Sequence, residues 1–361
     1  MNPDQNQQFY NESPHGNVDK ILDKNYNPEK TISLQQDTDQ DNNEIELGNY
    51  DVSWTEFVNP ETGETVEGKI YIPKGGDTNK VLIICPGYRG DFVLQEANYA
   101  QDFAKDGRAL IVLRHNSIKI ADDMENFIHC PEKTKVAKEK GQEYMGSEKQ
   151  FDFNNANNEV LTVLRSLSDK INNIDIVGHS WGGRISLLSA SDLHKLSEGT
   201  GDQADSARQI ISKVNNIILL GPFLEENKEI ISGYLEYFQG EAEKGIFKNM
   251  KPDEIIQGAI KGSEELAALN SQSFPDNVRI VGMQSVGDLD VKLEGEYLNF
   301  FNQLKDMDRK GSIILKDLKE LAQTPSSIGG REIEAHDYAL RKTGEGSEIR
   351  EWIRIAIDGK K

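Results

Sequence analysis

Cysteine is scarce in this chain: Cys85 and Cys130 are the only two among 361 residues. Two cysteines cannot build the framework of a small disulfide-stapled domain, and they lack the Cys-x-x-Cys spacing of a zinc or redox site. A single bridge between them is the one disulfide the sequence permits. Long apolar runs are missing as well. No stretch approaches the roughly 18 consecutive apolar residues of a membrane-spanning helix, and Met1 to Asn6 show neither the basic region nor the apolar region of a cleaved leader. The expectation is a soluble cytoplasmic protein without a membrane-spanning segment, although leaderless export is compatible with the same features. Basic residues are outnumbered, with 41 Lys and Arg against 61 Asp and Glu, for a formal charge of −20. Such a field repels nucleic-acid phosphates and anionic headgroups, so no nucleic-acid partner is expected. The acidic excess serves mainly to keep the chain in solution. Oligomeric state leaves no mark in the sequence.

What is present is a polar chain, with a mean hydropathy of −0.62, whose apolar residues are gathered into short runs. Residues 1–48 are rich in Asn, Gln, Asp and Glu, and Ile21, Leu22 and Ile32 follow no sustained period. Such a segment buries too little apolar surface to offset its ordering entropy and is expected to be a disordered tail. From residue 49 to 361 the pattern becomes that of a single domain. Tyr50 to Val58 and Thr65 to Ile72 are β-rich runs flanking Asn59-Pro60-Glu61-Thr62-Gly63, which predicts a hairpin. Continuous apolar runs at 81–85, 109–113, 174–177, 217–220, 278–283 and 312–315 suit strands buried on both faces. Helical spacing appears between them at 95–106, 155–167, 181–196 and 294–304, and again in a last helix carrying Ile349, Trp352, Ile353 and Ile357. Alternation of this kind predicts an α/β fold with a mostly parallel, doubly wound sheet and an N-terminal antiparallel hairpin at its edge. Residues 116–149 and 223–274 break the alternation; the second reads as a helical cap inserted between two strands.

The most informative run is Ile174-Asp175-Ile176-Val177 leading into Gly178-His179-Ser180-Trp181-Gly182-Gly183 and then into the helical Arg184 to Ala190. A strand, a G-x-S-x-G turn and a helix, in that order, form a nucleophile elbow. The turn is so tight that side chains two residues before and after the serine would collide, hence Gly178 and Gly182. The serine hydroxyl then projects beyond the sheet, where the N-terminus of the following helix favours negative charge. Ser180 is the candidate nucleophile.

This block resembles the elbow of the α/β-hydrolase superfamily, and is similar to that of its esterase, monoacylglycerol lipase and serine aminopeptidase branches. The resemblance runs from about Tyr50 to the C-terminus. It implies an α/β-hydrolase fold and a triad in the order serine, acid, histidine. With that order, the six histidines reduce to His336 as general base, since His179 and His194 lie in the elbow and the helix after it and His15, His115 and His129 precede the nucleophile. The family acid lies three residues beyond a glycine after a late strand, which carries over to Gly287 and Asp290; Asp288 remains the alternative. Two backbone N–H groups are implied for the oxyanion hole: Trp181 after the nucleophile, and Tyr88 in Cys85-Pro86-Gly87-Tyr88, where Pro86 replaces the family's histidine. Arg89 and Asp91 read as structural.

The expected activity is hydrolysis of a carboxylic ester with a small or medium acyl group through an acyl-enzyme, on a small-molecule substrate and with no metal or organic cofactor. Two alternatives stay open. A serine aminopeptidase would need acidic residues for a substrate amine, and Glu225, Glu226, Glu229 and Glu236 are available. A catalytically silent binding module on the same scaffold is the other.

Overall fold

The computed structural model describes residues 18–22, 26–34, 36–38, 44–46, 50–74, 78–88, 96–104, 106–115, 129–146, 156–224, 228–245, 251–284, 298–304, 313–317, 326–328, 331–333 and 345–359. The strands are β1 (Tyr26–Leu34), β2 (Gln36–Thr38), β3 (Glu44–Glu46), β4 (Tyr50–Val58), β5 (Thr65–Pro73), β6 (Lys80–Cys85), β7 (Ala109–Arg114), β8 (Asn173–His179), β9 (Val214–Leu220), β10 (Arg279–Gln284), β11 (Ile313–Asp317), β12 (Ser326–Ile328) and β13 (Arg331–Ile333). The helices are α1 (Glu96–Ala104), α2 (Pro131–Glu139), α3 (Ala156–Ser166), α4 (Trp181–Ser197), α5 (Asp202–Ile211), α6 (Lys228–Gly233), α7 (Leu235–Glu243), α8 (Pro252–Ala267), α9 (Leu298–Gln303) and α10 (Glu345–Asp358).

Nine strands pair into one sheet in the order β1-β4-β5-β7-β6-β8-β9-β10-β11. The six from β7 to β11 run parallel, and β1, β4 and β5 are antiparallel to their neighbours. Alternate residues of the parallel strands point to opposite faces. Ile83, Ile111, Ile176, Ile217 and Ile280 join α3 and α4 in one core, while Leu82, Val112, Val177, Ile218 and Val281 join Tyr99 and Phe103 of α1 and Ile349 and Ile353 of α10 in the other. Burial on both faces is why these strands read as unbroken apolar runs. Each such side chain contributes about 1.5–3 kcal/mol by leaving water.

The expected hairpin is β4 and β5. Its turn closes through Asn59, whose side-chain oxygen accepts from the Glu61 N–H at 3.0 Å, and through Gly63 in the left-handed region at φ 68°. The hairpin does not form the sheet edge, however, because β1 lies outside it. Residues 1–48 are therefore corrected in part. Val18, Ile21, Leu22 and Tyr26 are buried in the main core, Ser168 donates to the Ile21 carbonyl at 2.8 Å, and β1 pairs with β4 from Tyr26↔Phe57 to Leu34↔Val52. An edge strand needs only one apolar face, so this segment docks with few hydrophobic residues. Pro28 falls between Asn27 and Ile32, where the register shifts, a position that suits a residue without an N–H. Residues 1–17 lie outside the described residues.

Two further stretches give more structure than their composition suggested. Helix α5, on Ala204, Ala207 and Ile211, precedes β9. Within 116–149, helix α2 and the residues beside it are tied to the sheet by Glu67, which is buried in β5. Its carboxylate accepts from the Cys130 N–H at 3.1 Å, Lys133 Nζ at 3.0 Å and the Tyr144 hydroxyl at 3.0 Å, with His129 Nδ1 at 3.3 Å. Burial works against the charge, but His129 and Lys133 outweigh it and lower the Glu67 pKa to about 2. Both cysteines are free and buried, so the bridge the sequence permitted is not made, and burial pushes each thiol up to about 12. Among the described residues no helix is long and apolar enough to cross a membrane.

Candidate active site

Strand β6 continues through α1 to β7 on one side of itself and pairs with β8 on the other. A reversal of this kind opens a crevice at the carboxyl ends of the strands, where ligands bind in α/β sheets. The ends of β6 and β8 carry Pro86-Gly87-Tyr88 and Ser180, so the two sequence segments of greatest chemical interest meet there.

Ser180 has φ 52° and ψ −121° and is the sole non-glycine with positive φ among the described residues. A conformation of this kind costs an L-residue about 1–3 kcal/mol and persists only where its surroundings impose it. Three backbone bonds impose it: the Ser180 N–H donates to Leu220 O at 2.9 Å, and the Ser180 carbonyl accepts from Gly183 N at 3.0 Å and Phe223 N at 3.0 Å. Ser180 also occupies the N-cap of α4, yet its hydroxyl makes no capping bond. It is left half-buried at the positive end of a 17-residue helix with no acidic residue in its first turn.

The elbow glycines have steric reasons. A Cβ on Gly178 would lie 2.5 Å from the Gly182 carbonyl oxygen, and one on Gly182 would run into the carbonyls of Cys85 and Pro86. Gly183 is constrained too, by Pro222, which the sequence did not single out. Gly87 brings the β6 loop against Ser180, since a Cβ there would stand 3.3 Å from Ser180 Cβ. Tyr88 follows and is half-buried; Trp181 is buried at the start of α4.

The structure thus brings together Ser180, Trp181, Gly178, Gly182, Gly87 and Tyr88. Asp290, its alternative Asp288, and His336 lie outside the described residues, as do Arg89, Asp91, Glu225 and Glu226. In the chain, Asp290 falls between β10 and α9, and His336 between β13 and α10.

Helices α6 to α8 supply aromatic and polar contacts to this corner. Tyr88 packs edge-on against Phe238 at 6.0 Å between centroids and against Tyr237 at 6.3 Å, and its hydroxyl meets that of Tyr237. Trp181 lies 6.0 Å from Phe223, which packs on Tyr234. Arg184, one turn into α4 and fully buried, is 4.8 Å from the Trp181 ring and donates to the Ala259 carbonyl at 2.9 Å and Ser263 Oγ at 2.8 Å in α8. Sequence reasoning missed Arg184; its signal was a lone arginine at the start of an otherwise small and apolar helical run. His115 also lies here, buried at the end of β7, with Nδ1 2.7 Å from Glu159 Oε2 and Nε2 2.9 Å from the Pro86 carbonyl oxygen.

No family model matches the chain, and no curated protein matches it. Solved structures do resemble it. A protein from Agrobacterium vitis S4, provisionally assigned as a hydrolase, is 14% identical and superposes with a TM-score of 0.51 over 85% of this chain and 99% of its own. A highly thermostable carboxyl esterase from Bacillus coagulans, in complex with glycerol, is 13% identical, with a TM-score of 0.50 over 85% and 98%. The strand order, the reversal beside β6 and these superpositions over nearly the full length of both structures agree on one architecture: the chain has the α/β-hydrolase fold.

Proposed function

We propose that the chain is a serine hydrolase that cleaves a carboxylic ester with a small or medium acyl group. The observation that carries this reading is Ser180 itself, held at positive φ on a strand-to-helix turn with its hydroxyl unspent on the helix cap. A backbone strained at one serine, and maintained by three hydrogen bonds and two obligatory glycines, is what positions a nucleophile. That one solved structure of this fold is named a carboxyl esterase and another is provisionally assigned as a hydrolase adds support.

In this reading His336 takes the Ser180 proton as the oxygen attacks the carbonyl carbon, and Asp290 holds the imidazole in the required tautomer. The Tyr88 and Trp181 N–H groups stabilise the oxyanion. His336 then protonates the departing alcohol, and water attacks the acyl-enzyme by the same steps in reverse order. Residues 223–274, with α6 to α8, act as a cap whose aromatic residues border the acyl site.

The test is a panel of p-nitrophenyl esters of increasing chain length set beside aminoacyl anilides. Turnover of the acetate to hexanoate esters, with the anilides inert, is expected. Anilide turnover without ester turnover would replace the esterase reading by a peptidase, and inertness towards both would leave a binding module.

A further inference from the structure

We propose that His115 and Glu159 form a positioning pair for the oxyanion loop: the imidazolium donates from one nitrogen to Glu159 and from the other to the Pro86 carbonyl, and so orients the peptides that present the Tyr88 N–H to Ser180. The inference rests on the reading of Ser180 as nucleophile and Tyr88 as oxyanion donor.

Both neighbours of the His115 ring are acceptors, a carboxylate oxygen at 2.7 Å and a carbonyl oxygen at 2.9 Å. A neutral imidazole donates from only one nitrogen, and would turn a lone pair toward one of these oxygens; the charged ring satisfies both. The charges around it agree. Burial opposes the imidazolium, but Glu159 of α3, through its charge and its hydrogen bond, together with the Pro86 carbonyl, outweighs burial and raises the His115 pKa. Arg114, its neighbour on β7, acts in the opposite sense and is paired with Glu96 of α1. The Cys85 thiol of β6, within the field of Glu159, is kept neutral by burial, which pushes it up to about 12.

The loop needs such a hold. Gly87 sits against Ser180 where a Cβ would be crowded at 3.3 Å, and glycine gives the chain more conformational freedom than any other residue. The Pro86 carbonyl and the Gly87 N–H belong to one peptide plane, so a bond to that oxygen fixes the plane one residue before the donor. On the other side the Tyr88 ring is packed against Tyr237 and Phe238. The donor is thereby held from both directions. Preorganisation is what gives an oxyanion donor its value: losing one costs about 10²–10³-fold in kcat, and a displacement of about 1 Å can cost about 10²-fold.

The experiment compares wild type, His115→Gln and Glu159→Gln, with ester kinetics across pH and with ¹⁵N-histidine NMR of the wild type. His115→Gln is expected to lower kcat about 10- to 100-fold with KM within about twofold, while its circular dichroism stays near wild type and its Tm falls because the buried Glu159 carboxylate loses its charged partner. Glu159→Gln removes the charge that sustains the imidazolium, so the alkaline limb of kcat should move to lower pH by about one unit or more. In the wild type, both His115 nitrogens should carry protons at pH 7. If His115 is neutral at pH 7, or if folded Glu159→Gln keeps the wild-type pH profile, the proposal is overturned, even where His115→Gln proves unable to fold. A wild type that hydrolyses esters and is labelled at Ser180 by a fluorophosphonate, beside variants of unchanged kcat, defeats the positioning pair alone. A wild type that does neither defeats the functional reading, and the positioning role with it.

Discussion

Strand β8 has a polar group at each end, and the two ends are built on opposite plans. At its start Asp175 is fully buried, paired with Arg108 and accepting from Asn216 Nδ2 at 2.5 Å. Asn216 in turn accepts from Arg279 Nε at 2.8 Å. The polar ladder runs from Arg108, just before β7, to Asp175 in β8, Asn216 in β9 and Arg279 in β10, and these groups find partners inside the protein. Just past the far end of the same strand Ser180 has its backbone fully bonded and strained, while the residue stays half-buried beside a helix N-terminus and its hydroxyl makes no capping bond. Internally paired side chains anchor one end of the strand; a fully bonded backbone holds an uncapped serine at the other. A charged residue in a cleft is thus a poor guide to function unless its partners have been counted.

The contrast can be broken first at Ser180. Replacement by Ala should cut ester hydrolysis on the order of 10⁴-fold or more with Tm essentially unchanged, as measured by initial rates and thermal melts. Asp175→Ala should do the reverse. It strands the buried Arg108, costs about 4 kcal/mol read as a lower urea midpoint, and leaves the kcat of the folded protein alone. Glu67, a second internally paired anchor, adds a pH signature. Its pKa is lowered from 4.5 to about 2, so its contribution is fully present above about pH 4.5 and lost as pH falls from there through about 2. Glu67→Gln should remove up to about 3 kcal/mol at neutral pH, and urea melts from pH 7 to 3 should show a flatter loss than wild type. The smallest effect is a gain. Ser180→Gly relieves the positive φ and should raise stability by about 1 kcal/mol while abolishing hydrolysis; a fall in stability would mean that the turn is not strained.

The same division explains what the sequence disclosed. Apolar runs such as Val81 to Cys85 and Ile174 to Val177 are legible because strands buried on both faces tolerate nothing polar, and Gly178 and Gly182 are legible because backbone collisions leave no choice of residue. Strand β1 was not legible, since an edge strand of Tyr-Asn-Pro-Glu-Lys-Thr-Ile-Ser-Leu needs only one face, and the preceding Ile21 and Leu22 are anchored on Ser168 and Leu167, far along the chain. In the sequence His115 is distinguished only by preceding Ser180; its two acceptors, Glu159 and the Pro86 carbonyl, lie 44 and 29 residues away, a proximity no local pattern encodes. Arg184 was hidden for the same reason, its partners lying 75 and 79 residues on.

The central claim, that Ser180 is the nucleophile, is tested most directly by treating the folded protein with a fluorophosphonate and mapping the adduct by mass spectrometry of tryptic peptides. One adduct is expected, on Ser180 within the peptide spanning 171–184, and none in Ser180→Ala. A protein that hydrolyses esters yet carries the adduct on another residue, or carries none, would contradict it.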